Sequence, residues 1–293
     1  MGRSMIALLA AAIALVAASA RAQSGQRVLA PTLLAAHDLP ANAITTFALS
    51  CRPGFVATSA GIRKPAPGAA LLSSTPVGLR TYRFRFGNPA TNGKQRVTVA
   101  VACRKLAGLG HTRYKLKLTP LKPVTVTAPP GKAAGVSLGC PQGTVPAGAG
   151  ADLDPVGQRS LQAYRVGFRV SLRRRTSTLR RFSFSVQNAG SQSRTAVLYG
   201  TCVTLGRARG APRVRLHVEV RTVRAGVSAG NQTFRRRCQR GWFALAVGFD
   251  ARSRLTRVDG AVAVGTGGRW TVSTDADTPA AVDLQLTCAR LGS

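Results

Sequence analysis

The sequence predicts an all-β protein: three tandem, small antiparallel β-sandwich modules of Ig-like type, each closed by one internal disulfide. Three observations predict it. The six cysteines, at positions 51, 103, 140, 202, 238 and 288, fall into three pairs of matching settings. Short runs that alternate apolar and polar residues recur between Gly, Pro, Asn and Ser turns, about six or seven per cysteine pair, as half-buried strands require. No long helical period follows the N-terminal apolar run. A barrel or a two-sheet roll of the same strands fits this pattern as well.

In chain order, residues 1–22 read as a signal peptide. Arg3 supplies the charged start and Ile6 to Ala18 the apolar stretch; Ala18-Ser19-Ala20 and Ala20-Arg21-Ala22 are two small-x-small cleavage sites. The apolar stretch is short for a membrane-spanning helix, and no arginine pair precedes it, which points to the general secretory route. Cys51 lies far beyond the cleavage region, so no N-terminal lipid anchor is expected. The C-terminal stretch from Thr287 to Ser293 carries no apolar tail. A soluble, exported mature chain is expected, with its cysteines oxidised.

The three modules span residues 27–106, 113–206 and 213–293. Their first cysteines stand 89 and 98 residues apart, a domain-sized period and not a solenoid's. Each opens a similar segment: Cys51-Arg52-Pro53-Gly54, Cys140-Pro141-Gln142-Gly143 and Cys238-Gln239-Arg240-Gly241. A small-residue stretch follows and ends at Gly61, Gly150 and Gly248. The second cysteine closes a β-patterned run, starting at Val97, Ala196 and Val282 respectively. Upstream of it lies an aromatic strand, Tyr82 to Asn88 and Phe182 to Asn188, with a weaker copy from Trp270. Alternation buries Tyr82, Phe84 and Phe86 and turns Arg83 and Arg85 outward. Modules two and three also open with clear strands, Tyr114 to Leu118 and Val214 to Val220; module one offers only Val28-Leu29 and a vaguer continuation. Short Gly-rich linkers, from Ala107 to His111 and from Gly206 to Pro212, imply beads with limited relative motion.

Six cysteines allow 15 connectivities in principle, and the repeat selects Cys51–Cys103, Cys140–Cys202 and Cys238–Cys288. Zinc is the competing reading, but the thiols are spread singly, without a C-x-x-C or a neighbouring histidine cluster. The Cys-Pro-x-Gly opening, the aromatic strand ending in Asn (Asn88-Pro89 in module one) and the closing strand cysteine together resemble exported actinobacterial repeat proteins. That resemblance spans the mature chain and implies neither a catalytic residue nor a ligand. Module three departs from it, lacking the Asn-Pro pair and the proline after Cys238.

The formal net charge is +33, from 42 basic and 9 acidic residues, spread as +10, +12 and +9 over residues 27–106, 107–206 and 207–293. Such a surplus attracts polyanions in a salt-dependent way, and arginine forks suit phosphate and carboxylate. The candidate contacts are Arg83, Arg85, Lys115 and Lys117 on outward sheet faces, Arg173, Arg174, Arg175, Arg180 and Arg181 in a hairpin loop, and Arg235, Arg236 and Arg237. Anionic envelope polymers and acidic polysaccharide are the expected partners. A solubilising role, or the arginine bias of a GC-rich genome, accounts for the same charge. No recognition helix, zinc finger or stacking platform is visible, so sequence-specific nucleic-acid binding is not expected.

No cofactor, metal or active site is expected. Gly226-Val227-Ser228-Ala229-Gly230 matches the nucleophile-elbow pattern, but that motif needs a strand before it and a helix after it, and a glycine-rich hairpin turn reads better. His37, His111 and His217 occupy unrelated settings. Asp152/Asp154 and Asp275/Asp277 each lack the further oxygens a calcium site needs. Trp242 and Trp270 suit the core of module three better than a sugar platform. The sequence thus reads as an exported, non-enzymatic binding or structural protein of the cell envelope or extracellular space. A protein-interaction or adhesion array is the alternative, and a hydrolase in module three is the third reading.

Overall fold

The computed structural model describes residues 27–66, 69–89, 93–107, 114–153, 164–171, 181–188, 190–211, 214–251, 256–274 and 280–292; residues 1–22 lie outside them. Every helix or strand among them is a strand. Up to residue 107 these are β1 (Arg27–Leu29), β2 (Thr32–Leu39), β3 (Ala43–Ser50), β4 (Val56–Lys64), β5 (Ala70–Val77), β6 (Thr81–Asn88) and β7 (Gln95–Ala107). The long β7 pairs with β1 and then β2 along one edge and with β4 along the other. A second sheet runs β3-β6-β5. Its Tyr82, Phe84 and Phe86 share one core with Val97, Val99 and Val101 of β7, so the two sheets face each other across these side chains.

The same pairing recurs twice more. Residues 114–207 give β8 (Tyr114–Pro120), β9 (Val124–Ala128), β10 (Ala133–Gly139), β11 (Val145–Leu153), β12 (Tyr164–Ser171), β13 (Arg181–Asn188) and β14 (Arg194–Arg207). Here β14 takes β8 and β9 on one side and β11 on the other, opposite a β10-β13-β12 sheet. The third unit has β15 (Arg215–Val227), β16 (Gly230–Arg237), β17 (Phe243–Ala251), β18 (Thr256–Val264), β19 (Gly267–Thr274) and β20 (Ala280–Gly292), in sheets β15-β20-β17 and β16-β19-β18.

Proline explains why the opening strand of the first unit is hard to read in sequence. A proline has no N–H for the ladder. The strand breaks between β1 and β2 at Pro31, and between β8 and β9 at Pro123; β15, without proline, pairs with β20 unbroken from Arg215 to Val227. The corner between β15 and β16, which holds Ser228, also differs from expectation. It is not a hairpin, because β15 pairs with β20 and β16 with β19, so the chain there crosses from one sheet to the other.

Three disulfides, Cys51–Cys103, Cys140–Cys202 and Cys238–Cys288, join the residue after β3, β10 and β16 to β7, β14 and β20, with Cα separations of 5.7, 5.8 and 5.7 Å. Each therefore staples one sheet to the other. Closing loops of this length stabilises each unit by about 4 kcal/mol in the chain-entropy model. Three residues after the first cysteine, Gly54, Gly143 and Gly241 turn the chain with φ of 82°, 77° and 81°, a region that disfavours any side chain. The asparagine ending the aromatic strand is a buried pin. Asn88 donates from Nδ2 to the carbonyls of Leu39, Pro40 and Gly93, and Asn188 to those of Ala128 and Gln192. Thr274 occupies that position in the third unit.

The units are not separate beads. β5 pairs antiparallel with β11, fusing sheets of units one and two into one seven-stranded sheet. β12 runs beside β17, and β18 beside β4, so at each junction the strand after one unit's small-residue strand meets the small-residue strand of another, and the ring closes. The small-residue stretch makes this approach possible. A Cβ at Gly61 would fall on the carbonyl oxygen of Ala261, and one at Gly150 on that of Ser74. All three units feed one further core, in which Val56, Val145 and Phe243 (each five residues after a first cysteine) gather with Leu106, Leu205 and Leu291 (each three after a second).

Candidate anion-binding surface

The candidate cations do not form one patch. Arg83 is exposed on β6, and Lys115 and Lys117 are exposed on β8. All three belong to the seven-stranded sheet, but the register from β6 through β5, β11 and β14 to β8 places Arg83 on the face opposite the two lysines. Arg181 is exposed at the start of β13, whereas Arg173, Arg174, Arg175 and Arg180 lie outside the described residues. Arg235, Arg236 and Arg237 are exposed on β16.

Arg85 is not the outward cation its alternation suggested. Because β5 continues into β11, this face of the strand looks along a shared sheet. There the Arg85 guanidinium meets the Asp152 carboxylate at 2.8 Å and donates to the Leu153 carbonyl at 3.1 Å. Its charge is committed to the junction of units one and two. Nearby, the buried Tyr82 hydroxyl reaches into the space that a side chain at Gly148 would take, next to the Thr201 hydroxyl. Burial raises its pKa.

Sequence reading also missed a cation buried at a junction between units. Arg104, directly after Cys103, is fully buried between units one and three. Its Nε donates to the Ala244 carbonyl at 2.8 Å, its Nη2 to the same oxygen, and its Nη1 to the carbonyls of Cys103 and Pro31 at 2.9 and 3.4 Å. No carboxylate is among these partners, and burial pushes its pKa down to about 9. The corresponding residues Val203 and Ala289 are apolar and equally buried. That contrast between aligned positions was the one available signal.

The residues weighed for catalysis are dispersed. Ser228 is exposed at the β15–β16 corner and accepts a hydrogen bond from Gln232, with a strand and no helix following. His37 is half-buried and stacked on Phe47 with ring centroids 3.6 Å apart; burial lowers its pKa. His217 is half-buried on β15 beside Gly292. His111, Asp154, Asp275 and Asp277 lie outside the described residues. Among the described residues, no group of three or more His, Cys, Asp or Glu side chains could hold a metal. Trp270 is fully buried and donates from Nε1 to the Gly248 carbonyl at 3.0 Å, while Trp242 packs under the Arg290 guanidinium at 4.9 Å.

Charge balance is the surface's main property. The exposed Asp38 carboxylate already has Lys94 at 2.9 Å and Arg96 at 3.9 Å. Glu219 is held by Arg221 at 2.9 Å. No protein-family model matches the chain, and no curated protein is similar to it. Fold and bonds define a disulfide-bridged all-β protein. All six cysteines are paired, as suits an oxidising environment.

Proposed function

We propose that this chain is an exported, non-enzymatic protein of the cell envelope or extracellular space whose basic surface engages anionic polymers. In this reading its three units are Ig-like sandwiches, released after removal of a signal peptide, as in the exported repeat proteins its motifs resemble. The observation that carries the proposal is the unbalanced surface. Arg83, Lys115, Lys117, Arg181 and Arg235 to Arg237 are exposed, and the exposed carboxylate of Asp38 is already held by two cations. Arginine and lysine in that state bind phosphate or carboxylate by releasing counterions, so the attraction falls as salt rises.

Retention of the mature chain on purified cell wall, measured from low to high salt, tests this. Binding at low salt that declines steeply with added salt is the expected result. No retention at low salt, or retention indifferent to salt, refutes it.

A further inference from the structure

Grouped by strand end, the exposed cations show an order that grouping by sheet face hides. Residues that follow the cysteines of all three units meet in one core, Val56, Val145 and Phe243 with Leu106, Leu205 and Leu291. The cystine ends of the three units therefore cap the same end of the ring, and each unit brings exposed arginines there. Unit one has Arg52 and Arg80, unit two Arg181 and Arg207, and unit three Arg237 and Arg240. Arg181 starts β13 opposite Gly139, Arg207 ends β14 opposite Tyr114, and Arg237 ends β16 opposite Gly267.

The acids are placed otherwise. No Asp or Glu lies within four positions of any cysteine in the sequence. Asp38 is opposite Arg96 near the start of β7, Asp152 stands one residue before the end of β11, and Asp250 is opposite Asp283 near the start of β20. These four lie toward the other ends of their strands. Asp259 stands mid-strand on β18, and Glu219, opposite Cys288, is held by Arg221.

The cystine end also carries an apolar tip. In the β5–β6 turn the carbonyls of Arg80 and Leu79 accept from the amides of Cys51 and Ala57 at 2.8 and 2.9 Å. Gly78 makes the turn with φ of 68°, and Val77 and Leu79 on either side of it are 46% and 47% exposed. The turn does not need them. In unit three the same two hydrogen bonds, to Cys238 and Ala244, are made by Thr266 and Gly265 in the places of Arg80 and Leu79.

We propose that the cystine end of the ring docks on an anionic lipid bilayer. Val77 and Leu79 enter the boundary between headgroups and acyl chains, and the surrounding arginines meet lipid phosphates. Basic residues near an anionic bilayer and apolar side chains at its boundary act together in such binding. A phosphodiester polymer or an acidic polysaccharide would answer the arginines but offers no apolar phase for the tip. This surface draws on the basic character invoked above, but its partner is a bilayer and not a polymer.

The test is co-sedimentation of the mature chain with vesicles of phosphatidylcholine mixed with phosphatidylglycerol, against phosphatidylcholine alone, alongside retention on cell wall. Binding to the mixed vesicles and not to phosphatidylcholine is expected. Leu79→Ser should weaken it roughly tenfold, the loss expected when one large side chain no longer enters an apolar phase. Arg52→Gln combined with Arg80→Gln should weaken it by at least about tenfold. Ile44→Ser, similarly exposed but at the far end of the sheet opposite Gly87, should bind as wild type. Quenching by bilayer-embedded bromine should exceed wild type in Leu79→Trp and match it in Ile44→Trp. All these positions are exposed, so the fold stands in each variant. No binding to the mixed vesicles, or equal binding by Leu79→Ser and wild type, overturns the surface. Wall retention that falls in Arg52→Gln with Arg80→Gln, without vesicle binding, assigns this end to a wall polymer and overturns the bilayer. Wall retention without vesicle binding leaves only the reading above standing, and vesicle binding without wall retention leaves only this surface.

Discussion

Arg104 offers the most discriminating perturbation of the fold. It is a fully buried cation whose partners are all neutral carbonyls. Burial brings its pKa down to about 9, well below the ordinary arginine value. At about 1.4 kcal/mol for each pH unit, that gap amounts to about 5 kcal/mol against the charged form. Replacing it by methionine, which fills a long narrow site with no charge, removes this penalty. On the other side, the Ala244 and Cys103 carbonyls lose this donor, a loss of about 3 kcal/mol in all. The Pro31 carbonyl keeps the Cys103 amide at 2.9 Å. The difference favours Arg104→Met by about 2 kcal/mol at pH 7.

The sign of the pH dependence follows from the depressed pKa. Below about 9 the folded wild type bears the full penalty. Above about 9, up to the ordinary arginine value, the unfolded chain holds the proton more tightly, so wild-type stability rises relative to the variant by about 1.4 kcal/mol per pH unit. Denaturant unfolding of both proteins from pH 7 to 10.5 measures this. The advantage of Arg104→Met should hold to about pH 9 and then shrink. A variant less stable than wild type by about 2 kcal/mol at pH 7, or a difference flat across the range, would show that the guanidinium is a net stabilising clamp.

Further outcomes follow from the junctions and the pins. Gly150→Ala, whose Cβ falls on the Ser74 carbonyl, should lose about 3 kcal/mol in thermal or denaturant unfolding. Gly226→Ala, which has open space, should shift stability by no more than about 0.5 kcal/mol. A double-mutant cycle on Arg85 and Asp152 should give a coupling of about 1 kcal/mol that weakens in high salt. Asn188→Ala leaves two carbonyls without their donor and should destabilise by about 2–3 kcal/mol, measured by denaturant midpoint.

What could be read from sequence was whatever depends on neighbours within one strand or one cysteine pair. Alternation is enough to bury Phe84, Phe86 and Trp270, and the setting of each cysteine is enough to indicate a disulfide. Arg85 and Arg104 failed that logic for one reason: in an isolated sandwich the face opposite the core meets water, but here it meets another unit. Whether an outward arginine ends in solvent or against Asp152 depends on a strand some seventy residues away. No periodicity encodes that. The glycines at 61 and 150 did carry a hint, since a strand interior without a side chain often marks a close backbone approach.

The three junctions share one backbone plan and differ in side chains, which only a single chain permits. In a trimer of identical copies, a residue such as Asp152 would appear at every junction, and a lone Arg104 could not exist. Fusion of the three units lets each position diverge. Unit two supplies an acid to meet Arg85, unit one places Arg63 where that acid would stand, and Arg104 takes a place that Val203 and Ala289 fill with apolar groups. Conserving the glycines preserves the approach of the strands, so ring closure tolerates these exchanges.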